Sequence, residues 1–358
     1  MEKLMFKKIN FVFLLAMLSA SLGWTQEKIP VTVAAGQPPR SLPSLAKVNE
    51  FFIPEVNKRI KAAGLKYQID WTEAYAGSLL KPLQMLDGTK DGVTGIGFIP
   101  IGFYPDKLPL EQLSFTVPFA TTDVLTISRI MNRLHKAFPE FGAQYEKFNQ
   151  VRLGGSGVDS YELLTTFPVK SIDDIKGKKI SSGGLILSWL RGTGATPVQG
   201  NMMEYYNSTK SGVYQGFIIM PSTFPGMKYP EVAPFITRVG FGAQYAVVLT
   251  INKDLYKKLP EPIQKIMHEV GEEWGIESDK AYARAGDDGY NSLPGFKASA
   301  VSFTRDQQVA WAKSMPNLAK EWAANADKQG LPGTKALAMF MEELRKAGIK
   351  PIRDWDKE

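Results

Sequence analysis

Cysteine is absent from this 358-residue chain, which excludes disulfides, thiolate metal ligands, cysteine nucleophiles and a lipid anchor on an N-terminal cysteine. Histidine is almost as scarce. The two that occur, His135 and His268, stand without any partner motif for acid–base work and read as surface or structural residues. The nearest approach to a nucleophile elbow, Gly154-Gly155-Ser156-Gly157, puts Val158 where the second glycine of G-x-S-x-G belongs. Gly192, Gly194 and Gly200 form no phosphate-binding fingerprint, and no Gly-Lys-Ser/Thr follows them. Hydrolase, kinase and dehydrogenase chemistry therefore has no foothold, and neither a cofactor nor a metal site is expected. The formal charge is +7, but no block of five or six like charges occurs, so nucleic acid is not an expected partner.

Long apolar runs are also missing, except at the start. Lys3, Lys7 and Lys8 precede an apolar stretch from Ile9 to Leu18, and small residues Ser19, Ala20, Ser21 and Gly23 follow. That order is the pattern of a secretory signal peptide. The stretch falls short of the about 20 apolar residues a membrane helix wants. Residues 1–26 are therefore expected to be a leader, cleaved between about Ala20 and Gln26, that sends the chain to the periplasm. The leader holds three lysines and one glutamate, so a charge of about +5 remains on the mature chain.

The remaining 330 or so residues suffice for two domains. Strand-like segments occur at Val31–Ala35, Tyr67–Trp71, Gly92–Ile99, Val151–Gly154, Lys178–Ser181, Val213–Ile219, Tyr245–Ile251 and Ala298–Phe303. Amphipathic runs lie between them; the clearest has Ile263, Ile266, Met267, Val270 and Trp274 on one face after Pro260 and Pro262. Interleaved strands and helices predict an α/β architecture with mainly parallel pairing. Thr304 and Gln307 have the spacing of a capping box opening a helix that reaches to about Gln329 and that Pro316 kinks or splits. A last helix runs from about Thr334 to Ala347, with Leu337, Phe340, Met341 and Leu344 on one side.

Several segments in consistent order resemble the binding subunit of TRAP (tripartite ATP-independent periplasmic) transporters, the dicarboxylate-type receptor family. They are Trp71–Ser78 (WTEAYAGS), Pro109-Leu110, Pro118-Phe119, Ser171–Ile180 (SIDDIKGKKI), Gly194–Val198 (GATPV), Glu204-Tyr205-Tyr206, Gly212-Val213 with Gly216, and Ile251–Tyr256 (INKDLY) with Leu259-Pro260. The resemblance covers nearly the whole mature chain. It implies a periplasmic-binding-protein-like fold of two α/β lobes, a cleft between them, a long bracing helix and a C-terminal helical segment. Lobe I is expected over residues 27–153 with about 243–290, and lobe II over 154–242 with about 291–358. The crossovers then lie at Gly154–Gly157 and near Gly240–Gly242. Hinged closure on a solute, without covalent chemistry, is the implied mechanism, followed by delivery to integral membrane subunits driven by an ion gradient. A monomer is expected. Rival readings are a periplasmic ligand sensor for a membrane receptor and a periplasmic enzyme of unknown type.

In the family an arginine directly after the Gly-x-Lys-Ile segment usually forks onto a substrate carboxylate; here Ser181 takes its place, followed by Ser182, Gly183 and Gly184. Another cation, with Arg129, Arg152 and Arg191 as candidates, is then expected to replace it, or the ligand departs from the usual organic acid. Gln215 likewise stands where aspartate is common. The expected ligand-binding residues are Gln37, Trp71, Glu73, Tyr75, Phe98, Ser156, Tyr161, Ser181, Ser182, Gly183, Tyr205 and Met220. Trp71 and Phe98 read equally well as core, and Glu73 as the partner of a cationic ligand. The expected solute is a small organic acid, aromatic or otherwise atypical.

Overall fold

The computed structural model describes residues 26–358, so the expected leader lies outside the described residues except for Gln26. In chain order the strands are β1 (Glu27–Ala34), β2 (Tyr67–Ala74), β3 (Ile96–Pro100), β4 (Gln150–Val158), β5 (Glu162–Thr165), β6 (Lys179–Ser182), β7 (Thr196–Gln199), β8 (Gly216–Ile219), β9 (Phe235–Arg238), β10 (Gln244–Asn252) and β11 (Ser299–Ser302). They form two mixed sheets, ordered β2-β1-β3-β10-β4 and β11-β9-β5-β8-β6-β7. Helices cover both, giving the two-lobed α/β fold.

Parallel pairing holds for β2-β1-β3 and for β8-β6-β7. It fails at the strands that connect the lobes. β10 runs antiparallel to β3 and β4, and β5 antiparallel to β8 and β9. The cause is topological: β4 leaves the first sheet for β5 in the second, and β10 returns from β9, so two crossovers lying side by side must point in opposite directions. β10 is buried at every position from Gln244 to Asn252, as its nearly unbroken apolar sequence requires. The outgoing crossover falls later than expected, because β4 continues through the glycines to Val158 and the chain changes sheet at residues 159–161. The return passes through Gly240 and Gly242, whose φ angles of 72° and 103° are open to glycine. β5, β7 and β9, each of four residues, escaped the sequence reading, whereas the equally short β6, β8 and β11 overlap segments it picked out. β7 carries Pro197 and sits at a sheet edge, where the missing N–H costs nothing.

The bracing helix runs over Glu261–Asn291, roughly 46 Å at 1.5 Å per residue. Its apolar stripe ends at Trp274. Beyond it the buried face consists of Gly275, Ser278, Asp279, Tyr282, Gly286 and Gly289, which explains why periodicity shows only its first half. Glycines set the approach of the helix to the crossover strand: a Cβ on Gly154 would lie 1.9 Å from Gly271 O, and one on Gly275 2.3 Å from Gly155 O. Further along, a Cβ on Gly289 would meet Pro221 O of the second lobe at 2.0 Å. One rigid rod therefore packs on both lobes.

The Thr304 capping box forms, with Thr304 N–H donating to Gln307 Oε1 at 2.6 Å and Gln307 N–H to Thr304 Oγ1 at 3.3 Å. The helix it opens ends at Ser314; Pro316 separates it from Leu318–Lys328, and Gly333–Lys346 closes the bundle. Of these helices, expected with lobe II, the first packs there, with the Trp311 indole donating to Trp189 O at 2.8 Å, while the later two and the tail also fold back onto elements that precede β4. The Arg133 guanidinium pairs with Glu343, the Trp322 indole donates to Pro109 O at 2.8 Å, and the Trp355 indole to Pro118 O at 3.2 Å. Among the described residues, no helix is long and apolar enough to cross a membrane.

Replacing Gly275 with alanine forces the helix off β4, since the obstructing atom is backbone and cannot rotate away. Urea unfolding should show a loss of about 3 kcal/mol; an unchanged midpoint would mean that the seam has slack.

Candidate functional site

In both sheets the parallel strands point their carboxyl ends at the space between the lobes, where open α/β sheets place ligands. A cavity of about 100 Å³ lies there. From the first lobe it is lined by Gln37 and Leu42 after β1, Pro100, Gly102 and Phe103 at the end of β3, Phe115, Val158 at the end of β4, and Ala246 and Val247 of β10. From the second come Tyr161, Ser182 and Gly183 at the end of β6, Leu185, Ile186, Met202, Tyr205, and Ile218, Ile219 and Met220 around the end of β8.

The lobes are closed around it. A Cβ on Gly184, at φ 58°, would lie 2.2 Å from Gly102 O, and one on Gly183 would lie 3.0 Å from the Phe103 ring. The Trp189 indole donates to Phe115 O across the gap at 2.7 Å. Tyr161 packs edge-on against Trp189 with centroids 5.7 Å apart, while Tyr205 stacks on Phe217 at 4.8 Å. Burial raises the pKa of both phenols well above the ordinary tyrosine range, so each stays a neutral hydrogen-bonding group. Ser182 Oγ donates to Ile218 O at 3.2 Å. The Gln37 side chain is 3% exposed, and its Oε1 has no hydrogen-bond partner.

Six expected site residues therefore meet at this cavity: Gln37, Tyr161, Ser182, Gly183, Tyr205 and Met220. Ser181 does not reach it, because successive side chains of β6 take opposite faces. It is fully buried beside Gly200 and Tyr205, and a methyl group added at Gly200 would touch both. Trp71 and Glu73 lie on β2 at the sheet edge and Tyr75 directly after it, where neighbouring helices satisfy them. Trp71 donates to Asn57 Oδ1 at 3.0 Å, Glu73 accepts from Asn49 at 2.6 Å, and Tyr75 OH donates to Asn49 Oδ1 at 2.5 Å. Phe98 is buried against Trp274 of the long helix, and Ser156 Oγ donates to Asp279 at 2.8 Å. None of these five lines the cavity.

None of the candidate replacement cations lines the cavity. Arg152 is tied to Glu272 at 2.6 Å, to Asn132 at 2.8 Å and to Tyr245 OH at 2.6 Å. Arg191 forks onto Glu321 at 2.6 and 3.1 Å, and Arg129 lies in a groove against the long helix. Gln215 accepts from Lys179 N–H at 2.8 Å, a sheet-supporting role. His135 Nε2 sits 3.0 Å from Glu111 in the core, with its pKa lowered by burial; His268 is exposed. The sequence reading missed the apolar lining, chiefly Leu42, Phe103, Phe115, Leu185, Ile186 and Met202. No signal separated these residues from ordinary core.

Buried carboxyls hold the outgoing crossover. Asp279 Oδ1 accepts from Ser128 Oγ, Ser156 Oγ and Gly157 N–H at 2.8, 2.8 and 2.9 Å. Asp159 accepts from Ser222 N–H and Oγ at 2.9 and 2.6 Å, and Glu162 from Gly240 N–H at 2.8 Å. Burial raises their pKa values to about 7, about 7 and about 8 respectively. Among the described residues, no three His, Cys, Asp or Glu side chains form a metal-binding group.

Two α/β lobes that meet over a small cavity have the architecture of a solute receptor. The model of the family described as bacterial extracellular solute-binding protein, family 7, matches residues 55–325, and the chain belongs to that extracytoplasmic family. A curated solute-binding protein of Sulfitobacter sp. (strain NAS-14.1) is 29% identical over 132 residues, 36% of this chain and 40% of that relative's length. Among solved structures, the chain is similar to a TRAP solute-binding protein of Rhodoferax ferrireducens in complex with copurified benzoate. Their TM-score is 0.79 at 18% identity, over 89% of this chain and 98% of that one. It is also similar to a marine metagenome TRAP solute-binding protein specific for aromatic acid ligands, with TM-score 0.77, 20% identity, and coverage of 89% and 99%. A Bordetella pertussis extracytoplasmic solute receptor binding pyroglutamic acid gives TM-score 0.75, 17% identity, and coverage of 88% and 99%.

Asp279 holds its proton more tightly in the folded chain than at the ordinary value of 3.8, so its contribution to stability falls as pH rises from about 4 to about 7. Asp279→Asn keeps an oxygen for all three donors and abolishes that titration. Melting temperatures across this window should therefore move in favour of the variant as pH rises; a constant offset would mean that the carboxyl is ionised throughout.

Proposed function

We propose that this chain is the solute-binding subunit of a TRAP-type secondary transporter: it closes in the periplasm on a small organic acid with an apolar body and hands it unchanged to integral membrane subunits. The observation that carries this reading is a cleft built half from each lobe and completed only on closure. Contacts from both sides make the closed state the one that ligand favours. Gln37, Tyr161, Ser182, Gly183, Tyr205 and Met220 contact the solute, and the protein works as a monomer. The aromatic acids and pyroglutamic acid of the similar structures support an acid; the tyrosines and apolar walls suit a ring.

Benzoate, mandelate, pyroglutamate and galacturonate, screened by thermal shift, test the reading. A ligand at a hundredfold its Kd stabilises the folded chain by about 2.7 kcal/mol, visible as a rise of a few degrees; silence across a broad metabolite panel rejects the receptor role. Gly184→Ala should keep the lobes from meeting at Gly102 and weaken binding roughly tenfold or more, while the unliganded protein remains folded. Unchanged affinity would show that closure at this point is not required.

A further inference from the structure

None of the side chains lining the closed cavity is charged. Its ionisable members are Tyr161 and Tyr205, both kept neutral by burial. Arg152 and Arg191 are paired with Glu272 and Glu321, and Arg129 lies in a different groove against the long helix. What the cavity offers a polar group is therefore uncharged: two phenols, Ser182 Oγ, and the Gln37 amide. Gln37 is the informative one, because its side chain lines the cavity and its buried amide oxygen has no partner, which is costly. Rotation of the amide can present either its oxygen or its nitrogen to an occupant.

Resting on the receptor reading, we infer that this cleft selects its solute by shape, apolar contact and uncharged hydrogen bonds rather than by charge. The solute is a single-ring-sized apolar body carrying one polar group, and an uncharged isostere of a bound acid binds about as well as the acid. The size follows from a cavity of about 100 Å³, the same order as a dry cavity of about 150 Å³ that takes benzene. A second carboxylate would have to face Leu42, Phe115, Ile186 or Met220 with no cation to meet it, and an unpaired buried charge is strongly disfavoured. Without a fixed cation in the site there is little for salt to screen.

Calorimetric titration of the mature chain with benzoate, its uncharged counterpart benzamide, and phthalate, which adds a second carboxylate to the same ring, tests this at low salt and at about 0.5 M NaCl. Benzoate and benzamide should agree within about tenfold, phthalate should bind at least about a hundredfold more weakly, and benzoate affinity should change less than about twofold with salt. Gln37→Leu should weaken benzoate and benzamide together by about tenfold without lowering the melting temperature of the empty protein, since it removes an unpartnered polar group. Benzoate binding a hundredfold tighter than benzamide, phthalate binding best, or a tenfold loss in salt would each overturn the inference by showing that a cation serves the site. If none of the three binds while a multiply charged or sugar acid does, the inference falls and the receptor reading stands. If no solute binds at all, both fall.

Discussion

The close packing of a glycine-bearing strand on a glycine-bearing helix governs the rest of this molecule. β4 and β10 lie side by side as the two connections between the sheets, and the Glu261–Asn291 helix presses on β4 until backbone meets backbone at Gly154–Gly271 and Gly155–Gly275. The same rod touches the second lobe at Gly289 and Pro221. With so little side-chain volume between them, the helix and the crossover strand form a stiff spine. The chain changes sheet only in short segments, residues 159–161 and 239–243.

Polar groups are spent on that spine rather than on the cleft. Asp279, Asp159 and Glu162 are buried carboxyls, yet each finds hydroxyl or backbone donors belonging to the crossovers. Arg152, the most deeply buried of the candidate cations, is absorbed by Glu272 and Tyr245 on the same side of the fold. The ligand cavity keeps only neutral hydrogen-bonding groups among aromatic and aliphatic walls. A polar connection between the lobes therefore lies beside an uncharged, apolar cleft.

Fold class was legible because it depends on patterns that repeat along the chain. Alternating strands and amphipathic helices, the Thr304 capping box and the proline break at Pro316 are local devices, and each appears where periodicity or turn chemistry places it. Four-residue strands were legible only in part: β6, β8 and β11 overlap strand-like runs, while β5, β7 and β9 did not stand out, since four residues hold barely two repeats of an alternating pattern. The second half of the long helix hid itself too, since close contact with β4 demands glycine and serine where an amphipathic pattern would show leucine.

By itself the sequence determined the architecture and the family, both of which follow from residue types and their order. Tertiary structure alone decided which side chains face the cavity between the lobes. Ser181 and Ser182 are neighbours on one strand, yet the pleat sends one behind Tyr205 and the other into the cleft. Trp71, Tyr75 and Phe98 have the right chemistry for a binding site but are carried by strand position and facing to the sheet edge or to the long helix. Leu42, Phe115 and Ile186 look like core in sequence and line the cavity only because two lobes, far apart along the chain, close over them. Which apolar residues become core and which become site is a property of the gap between two bodies, and no local pattern encodes that gap.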